Sequence, residues 1–319
     1  MTRQQQTPRL RGFTTIELLV IIGILAILMG MLAVALFPSV ERQNRENTKA
    51  LLKKLDQSVM QQWNEALKAA QASQVPLSIK YMVYPTVPPT PEVSLRVDKI
   101  ARAVWVKLVM RAEFPMTYAE ANYPWAGFPA AWVPTAPNAV NQAVAYYQKA
   151  LNGRTGALNP ATESSALLLL ALQKPRGVAG RRWSAEDALG AGAISDSDGD
   201  GMPEIVDGWR VAVGFYRWGT GNPNLDALNT SARGPTDRDR EDVEHALMDL
   251  WWDQQQPSGV ALFQQICHPI RNVGAAQSWY TEPVIVSAGR DGRLDLDMWM
   301  TPISGTSGST DNIYSFKVR

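Results

Sequence analysis

Residues 13–37 read FTTIELLVIIGILAILMGMLAVALF, and the expected fold turns on this stretch. Residues 18–37 carry no charge at all. As a helix rising about 1.5 Å per residue they would span about 30 Å, the thickness of a bilayer's hydrocarbon core. The expectation is a transmembrane helix segment over 13–37. Arg3, Arg9 and Arg11 precede it without an acid, and Glu41, Arg42, Arg45 and Glu46 follow with mixed sign. That asymmetry puts the N-terminus in the cytoplasm and the body outside. A buried core helix, an uncleaved anchor and a signal peptide ending at Ala33-Val34-Ala35 are the competing readings of the same run.

Glu17 separates them. A carboxylate at the head of an apolar run costs a few kcal/mol at membrane depth, so it needs a partner. The residues Gly12-Phe13-Thr14-Thr15-Ile16-Glu17-Leu18-Leu19-Val20 resemble the cleavage and methylation motif of type IV pilins and type II secretion pseudopilins. The resemblance implies that a prepilin peptidase cuts between Gly12 and Phe13, methylates the new amino group of Phe13, and leaves the apolar helix on the mature chain. It also implies that Glu17 meets the terminal ammonium of a neighbouring subunit, and that the partners are other pilin-like subunits and secretion or pilus assembly machinery. The implied location is the bacterial inner membrane, with the body in the periplasm or in an envelope filament.

Outward from this run, residues 1–12 form the leader and residues 38–75 an amphipathic stem. Leu52, Leu55, Val59, Trp63 and Leu67 recur there at helical spacing. Residues 76–319 form the exported body. With 45% hydrophobic and 19% charged residues, the composition is that of a folded protein. A net charge of +1 argues against a nucleic-acid partner. A single cysteine, Cys267, excludes an internal disulfide and a cysteine-rich zinc site.

Within the body, prolines at 76, 85, 88, 89 and 91 mark a linker with a short strand over 77–84. Helices are expected over 97–113, 138–151, 161–173 and 238–252. Tyr118, Tyr123, Trp125, Phe128 and Trp132 alternate with prolines in a loop that either packs on the core or binds a partner. Strand signals cluster late, at 209–218, 283–288 and 312–318. The expected fold class is α+β, a long N-terminal transmembrane and stem helix packed on an antiparallel sheet as in pilins, with helical and loop insertions. Asp207-Gly208-Trp209, Phe215-Tyr216-Arg217 and residues 286–292 (VSAGRDG) also resemble major pseudopilins, although Arg210-Val211-Ala212 stands where that family carries glycine, asparagine and proline.

The sharpest chemical motif is DSDGDGMPEIVD at 196–207. Calcium takes about six to eight hard oxygens, and an EF-hand-like loop supplies them from positions 1, 3, 5, 7, 9 and 12. Here those are Asp196, Asp198, Asp200, the Met202 carbonyl, Glu204 and Asp207, with a turn glycine at Gly201. A second acidic cluster, Asp291, Asp295 and Asp297, is a further calcium candidate, diluted by Arg290 and Arg293. Either ion would be structural. An Asp/Gly turn with solvated carboxylates is the bland alternative. No H-E-x-x-H, G-x-S-x-G or phosphate-binding loop occurs, and Cys267 beside His268 has no triad context, so the chain reads as a non-enzyme. Two functions stand: a pilin-like structural subunit of a type II secretion-like or type IV pilus-like filament, or a membrane-tethered or secreted calcium-stabilised binding domain.

Overall fold

α1 runs over Thr15–Ala72 without interruption at Pro38. A computed structural model describes residues 14–122, 125, 128–133, 138–152, 158–176, 183–222, 225, 239–268, 281–305 and 310–318, without the side chains of 32–38, 132 and 248. Gly12 and Phe13 lie outside the described residues. The chain divides into two units, Met1–Glu46 and Asn47–Arg319. In the first, Ile16, Leu19, Ile22, Leu25, Ile27 and Met29 are all more than half exposed.

Among the described residues, no helix is long and apolar enough to cross a membrane. This corrects the expected transmembrane segment over 13–37, and with it the membrane partner and the single-pass inner-membrane location.

In the second unit α1 presents Leu52, Leu55, Val59, Trp63 and Ala70 to the core, all essentially inaccessible. The expectation of a stem laid on a pilin-like sheet is also corrected. Trp63 meets Phe114 at 4.9 Å between ring centroids, and Phe114 reaches Phe215 at 6.3 Å. The surrounding core is mainly helical: α2 (Leu77–Val83), α3 (Pro91–Glu113), α4 (Ala139–Leu151) and α5 (Glu163–Gln173). Thr90 caps α3 by accepting from the Val93 amide, with Pro91 in the first turn, and Asn138 caps α4 by accepting from Asn141. The strand expected over 77–84 is helix α2, because Ile79, Met82 and Val83 fall on one buried helical face.

The sheets are small. β1 (Ile194–Ser195) pairs antiparallel with β2 (Glu204–Ile205). β3 (Gly214–Tyr216), β4 (Val284–Ser287) and β5 (Ile313–Tyr314) form an antiparallel sheet in that order, with Phe215 opposite Ile285 and Ser287 opposite Ile313. Local side-chain bonding cut the strands short. Asp207 Oδ1 accepts from the Trp209 and Val211 amides, and Arg210 sits at φ 67°, so 207–211 is a turn. The expected helix over 238–252 breaks for the same reason. Asp239 and Asp242 accept the amides of Glu241, Asp242, Ala246 and Leu247, and His245 is left-handed at φ 53°, so regular helix begins only at Leu250–Gln255. Among the described residues of the proline and aromatic loop, Trp125 and Phe128 are buried, with Trp125 Nε1 donating to the Glu120 carbonyl.

Buried ion pairs attach these irregular segments to α3. Lys107, fully buried, meets Asp239 at 2.8 Å and Glu241 at 2.6 Å. Arg111 and Arg217 share Glu120 at 3.3 and 2.9 Å, and Glu113 pairs with Lys174 and Arg176 at 2.7 and 2.8 Å. Burial pushes Glu241 up to about 7, aided by Asp239 and opposed by Lys107. Burial alone would also raise Asp239, Glu113 and Glu120, but the neighbouring cations outweigh it and hold all three below the ordinary carboxylate range.

Replacing Lys107 with methionine strands two buried acids, and urea unfolding should show a loss of about 3–5 kcal/mol. Breaking the exposed Lys80–Asp98 pair with Asp98→Asn should cost less than about 1 kcal/mol. A depressed folded-state pKa stabilises fully above the unfolded value of about 4 and is lost as pH falls through the folded one. Melting temperature should therefore fall steeply from pH 5 to pH 3, and Glu113→Gln should flatten that limb.

Candidate metal centre

The loop joining β1 to β2 is wound around its own carboxylates. Asp196 accepts from the Gly199 and Gly201 amides at 2.8 and 3.0 Å, Asp198 from Asp200 at 3.1 Å, and Asp200 from Met202 at 2.7 Å. Gly199 and Gly201 adopt φ of 77° and 83°, which L side chains rarely reach, so glycine is required for the winding. The result brings one carboxylate oxygen each of Asp196, Asp198, Asp200 and Glu204 within 4.8 Å of one another.

Three of the acids face solvent in part, and Glu204 is fully buried. Its Oε2 accepts from the Ser197 amide and hydroxyl at 2.7 and 2.8 Å, while Oε1 has no hydrogen-bond partner. Burial raises the Glu204 pKa, and Asp198 and Asp200 add to it against the opposing Ser197 bonds. Across the loop, Asn159 donates from its amide to Asp200 at 2.9 Å and from Nδ2 to Asp198 at 2.8 Å. The Thr162 hydroxyl, at the start of α5, donates to Asp198 at 2.6 Å instead of capping its helix. Four carboxylates so close repel one another, and a cation reverses the sign of that energy. The cluster could bind a metal ion, and its all-oxygen donor set suits a hard divalent cation.

Asp207 stands apart from this group. Its Oδ2 accepts from Ser287 Oγ at 2.6 Å, its Oδ1 holds the 207–211 turn, and burial pushes its pKa up. Met202 buries its side chain and spends its amide on Asp200. Asp291, Asp295 and Asp297 are not brought together. Asp291 accepts from the Arg293 amide, Asp297 from the Trp299 and Thr301 amides, and Asp295 pairs with Arg293 at 3.4 Å. Among the described residues the 196–204 cluster is the only such grouping.

No family model, curated protein or solved structure matches this chain.

Glu17 is engaged locally. It accepts from the Thr14 amide at 2.9 Å and hydroxyl at 3.0 Å, and the Thr14 hydroxyl accepts the Glu17 amide at 3.2 Å. This is a reciprocal capping box at the head of α1, and the bonds from Thr14 lower the Glu17 pKa. Cys267 is buried, and its thiol is pushed up to about 12, so it stays neutral. Sequence reasoning missed Asn159 and Thr162, which carry no metal-ligand spacing and lie far from the loop in the chain. It also missed the capping box, whose signal is Thr14-x-x-Glu17.

At a free divalent cation concentration of about 100 times Kd, the stabilisation is about 2.7 kcal/mol, several degrees of melting temperature, and EDTA should remove it. A paired Asp198→Asn and Asp200→Asn variant should melt at the same temperature with and without the cation.

Proposed function

We propose that this chain is a pilin-like structural subunit, processed between Gly12 and Phe13 by a prepilin peptidase and assembled with further copies into a secretion-like or pilus-like filament. The observation that carries this reading is the first unit of α1. Large apolar side chains from Ile16 to Met31 stand exposed there, while the second unit holds its own buried core. A continuous exposed apolar surface marks an association site. Packing against the same helix of other copies removes it from water.

Glu17 supports the reading chemically. Its carboxylate is already held at Thr14, the residue after Phe13. A free ammonium created at Phe13 by processing, on the same or a neighbouring copy, gives that acid a counter-charge within an apolar bundle. The cation at 196–204 is read as calcium. The Asp/Gly loop at 196–204 offers hard oxygen ligands in the number and irregular arrangement that calcium's larger coordination shell accepts, whereas magnesium demands near-octahedral geometry. Its role is to fasten the β1–β2 hairpin to the start of α5 in a body without disulfides.

Mass spectrometry of the mature protein should show an N-terminus at methylated Phe13. A start at Leu36, or an intact Met1, overturns the proposal. Glu17→Gln preserves the cap, since glutamine serves in a capping box, but deletes the charge. It should be processed normally and fail to assemble, as should Glu17→Ala. Wild-type filaments from the glutamine variant would reduce Glu17 to a helix cap.

A further inference from the structure

Acid outnumbers base where the segment after residue 238 meets α3. Asp239, Glu241 and Asp242 are all buried there, and among the described residues Lys107 alone pairs with any of them. The three acids are not equally served. Asp239 takes Lys107 through both oxygens at 2.8 and 2.9 Å, the Thr281 hydroxyl at 3.2 Å, and the amides of Glu241 and Asp242 at 3.1 Å each. Asp242 takes the Ala246 and Leu247 amides at 2.9 and 2.8 Å. Glu241 receives Lys107 at 2.6 Å and the Trp218 indole at 3.0 Å, and no backbone amide among the described residues donates to its carboxylate. Where two enclosed acids compete for one cation, the one with fewer donors takes the proton. Burial pushes Glu241 up to about 7 against the pull of Lys107, and Asp239 adds to the rise.

Glu241 and Asp242 stand in the wall of an open cavity of about 630 Å³, which the end of α1 at Gln71 and the α3 face at Asp98, Arg102 and Val106 also line. The cavity brings solvent up to a carboxylate that is otherwise enclosed. Its other charges are already engaged: Lys80 with Asp98, Lys99 with Glu244, and Arg102 with the Gln71 and Ser73 carbonyls. Around Trp218, Arg217 lies over the ring at 4.2 Å and shares Glu120 with Arg111, and His268 meets the ring edge-on at 5.2 Å. The Cys267 thiol beside His268 is neutral. Around Lys107, an ionised Glu241 leaves one negative charge in excess, whereas a protonated Glu241 leaves Lys107 and Asp239 balanced. We propose that Glu241 is a proton switch built into the cavity wall: protonated in mild acid, it leaves the 239–246 turn attached to α3 by a balanced ion pair, and ionised in mild base it puts an uncompensated carboxylate behind that turn and loosens it.

The direction of the effect follows from the proton count. An unfolded glutamate binds its proton near about 4.3, so from there up to about 7 the folded state holds more protons and stability falls as pH rises. The test uses the full-length chain, kept monodisperse in mild detergent. Every tryptophan lies at residue 63 or later, so tryptophan fluorescence during urea unfolding reports on the second unit alone. The unfolding constant should be about tenfold larger at pH 8 than at pH 6. Glu241→Gln keeps the shape and an acceptor for Trp218, and should remove that rise. A second reading needs no variant at position 241: the Trp218 indole N–H resonance, identified by its loss in Trp218→Phe, should shift with a midpoint near pH 7 in the wild-type chain. An unfolding constant that does not rise between pH 6 and pH 8, or a Trp218 resonance that does not move there, overturns the proposal. So does a rise that survives in Glu241→Gln and disappears in His268→Gln, which would assign the proton to the imidazole.

Discussion

Charge buried on α3 organises the second unit. Lys107, Arg111 and Glu113 lie within the last two turns of one helix, and each is drawn into the interior by partners from distant chain. Lys107 takes Asp239 and Glu241, Arg111 takes Glu120 with Arg217, and Glu113 takes Lys174 and Arg176. A buried charge without a counter-charge costs several kcal/mol, so none of these segments can leave without stranding another. Strands of two to four residues supply few ladder bonds to do the same work. The segments that ion pairs attach are the irregular ones, around 114–122, 174–176 and 239–242.

The 196–204 loop is the complementary case. Among the described residues its carboxylates gather without a protein cation, and their bonds come from backbone amides, Ser197, Asn159 and Thr162. Neutral donors orient carboxylates but do not cancel their charge. The same electrostatic rule that ties α3 to its partners makes this loop one that could hold a metal ion. Under the proposed reading a cation supplied from outside completes it, and the body gains a clamp that depends on ion concentration.

The two units carry opposite accounts of their apolar surface. From Leu52 onward α1 buries its hydrophobic face within the chain. From Ile16 to Met31 its apolar side chains have no covering within the described residues. Under the proposed function the covering is another copy, and the capping box at Thr14 and Glu17 sets the end of the helix where such copies would exchange charge. Glu17 then serves two purposes, a local cap in each subunit and a counter-charge between subunits.

The sequence by itself determined whatever depends on neighbours within a few residues. The stem face at Leu52, Leu55, Val59 and Trp63 follows from helical period, α3 and α4 follow from period and caps, and α5 follows from its apolar run. The acidic loop follows from the 1, 3, 5 spacing of Asp196, Asp198 and Asp200 around two glycines. Only the tertiary structure decided that 77–83 coils into a helix, that Asp239 and Asp242 break the segment after them, and that Asp207 serves Ser287 instead of the ion loop. It alone places Asn159 and Thr162 against that loop. The physical reason is range: periodicity and turn chemistry act over one or two helical turns, whereas a buried charge or an orphaned oxygen selects its partner by position in space, which no spacing along the chain encodes.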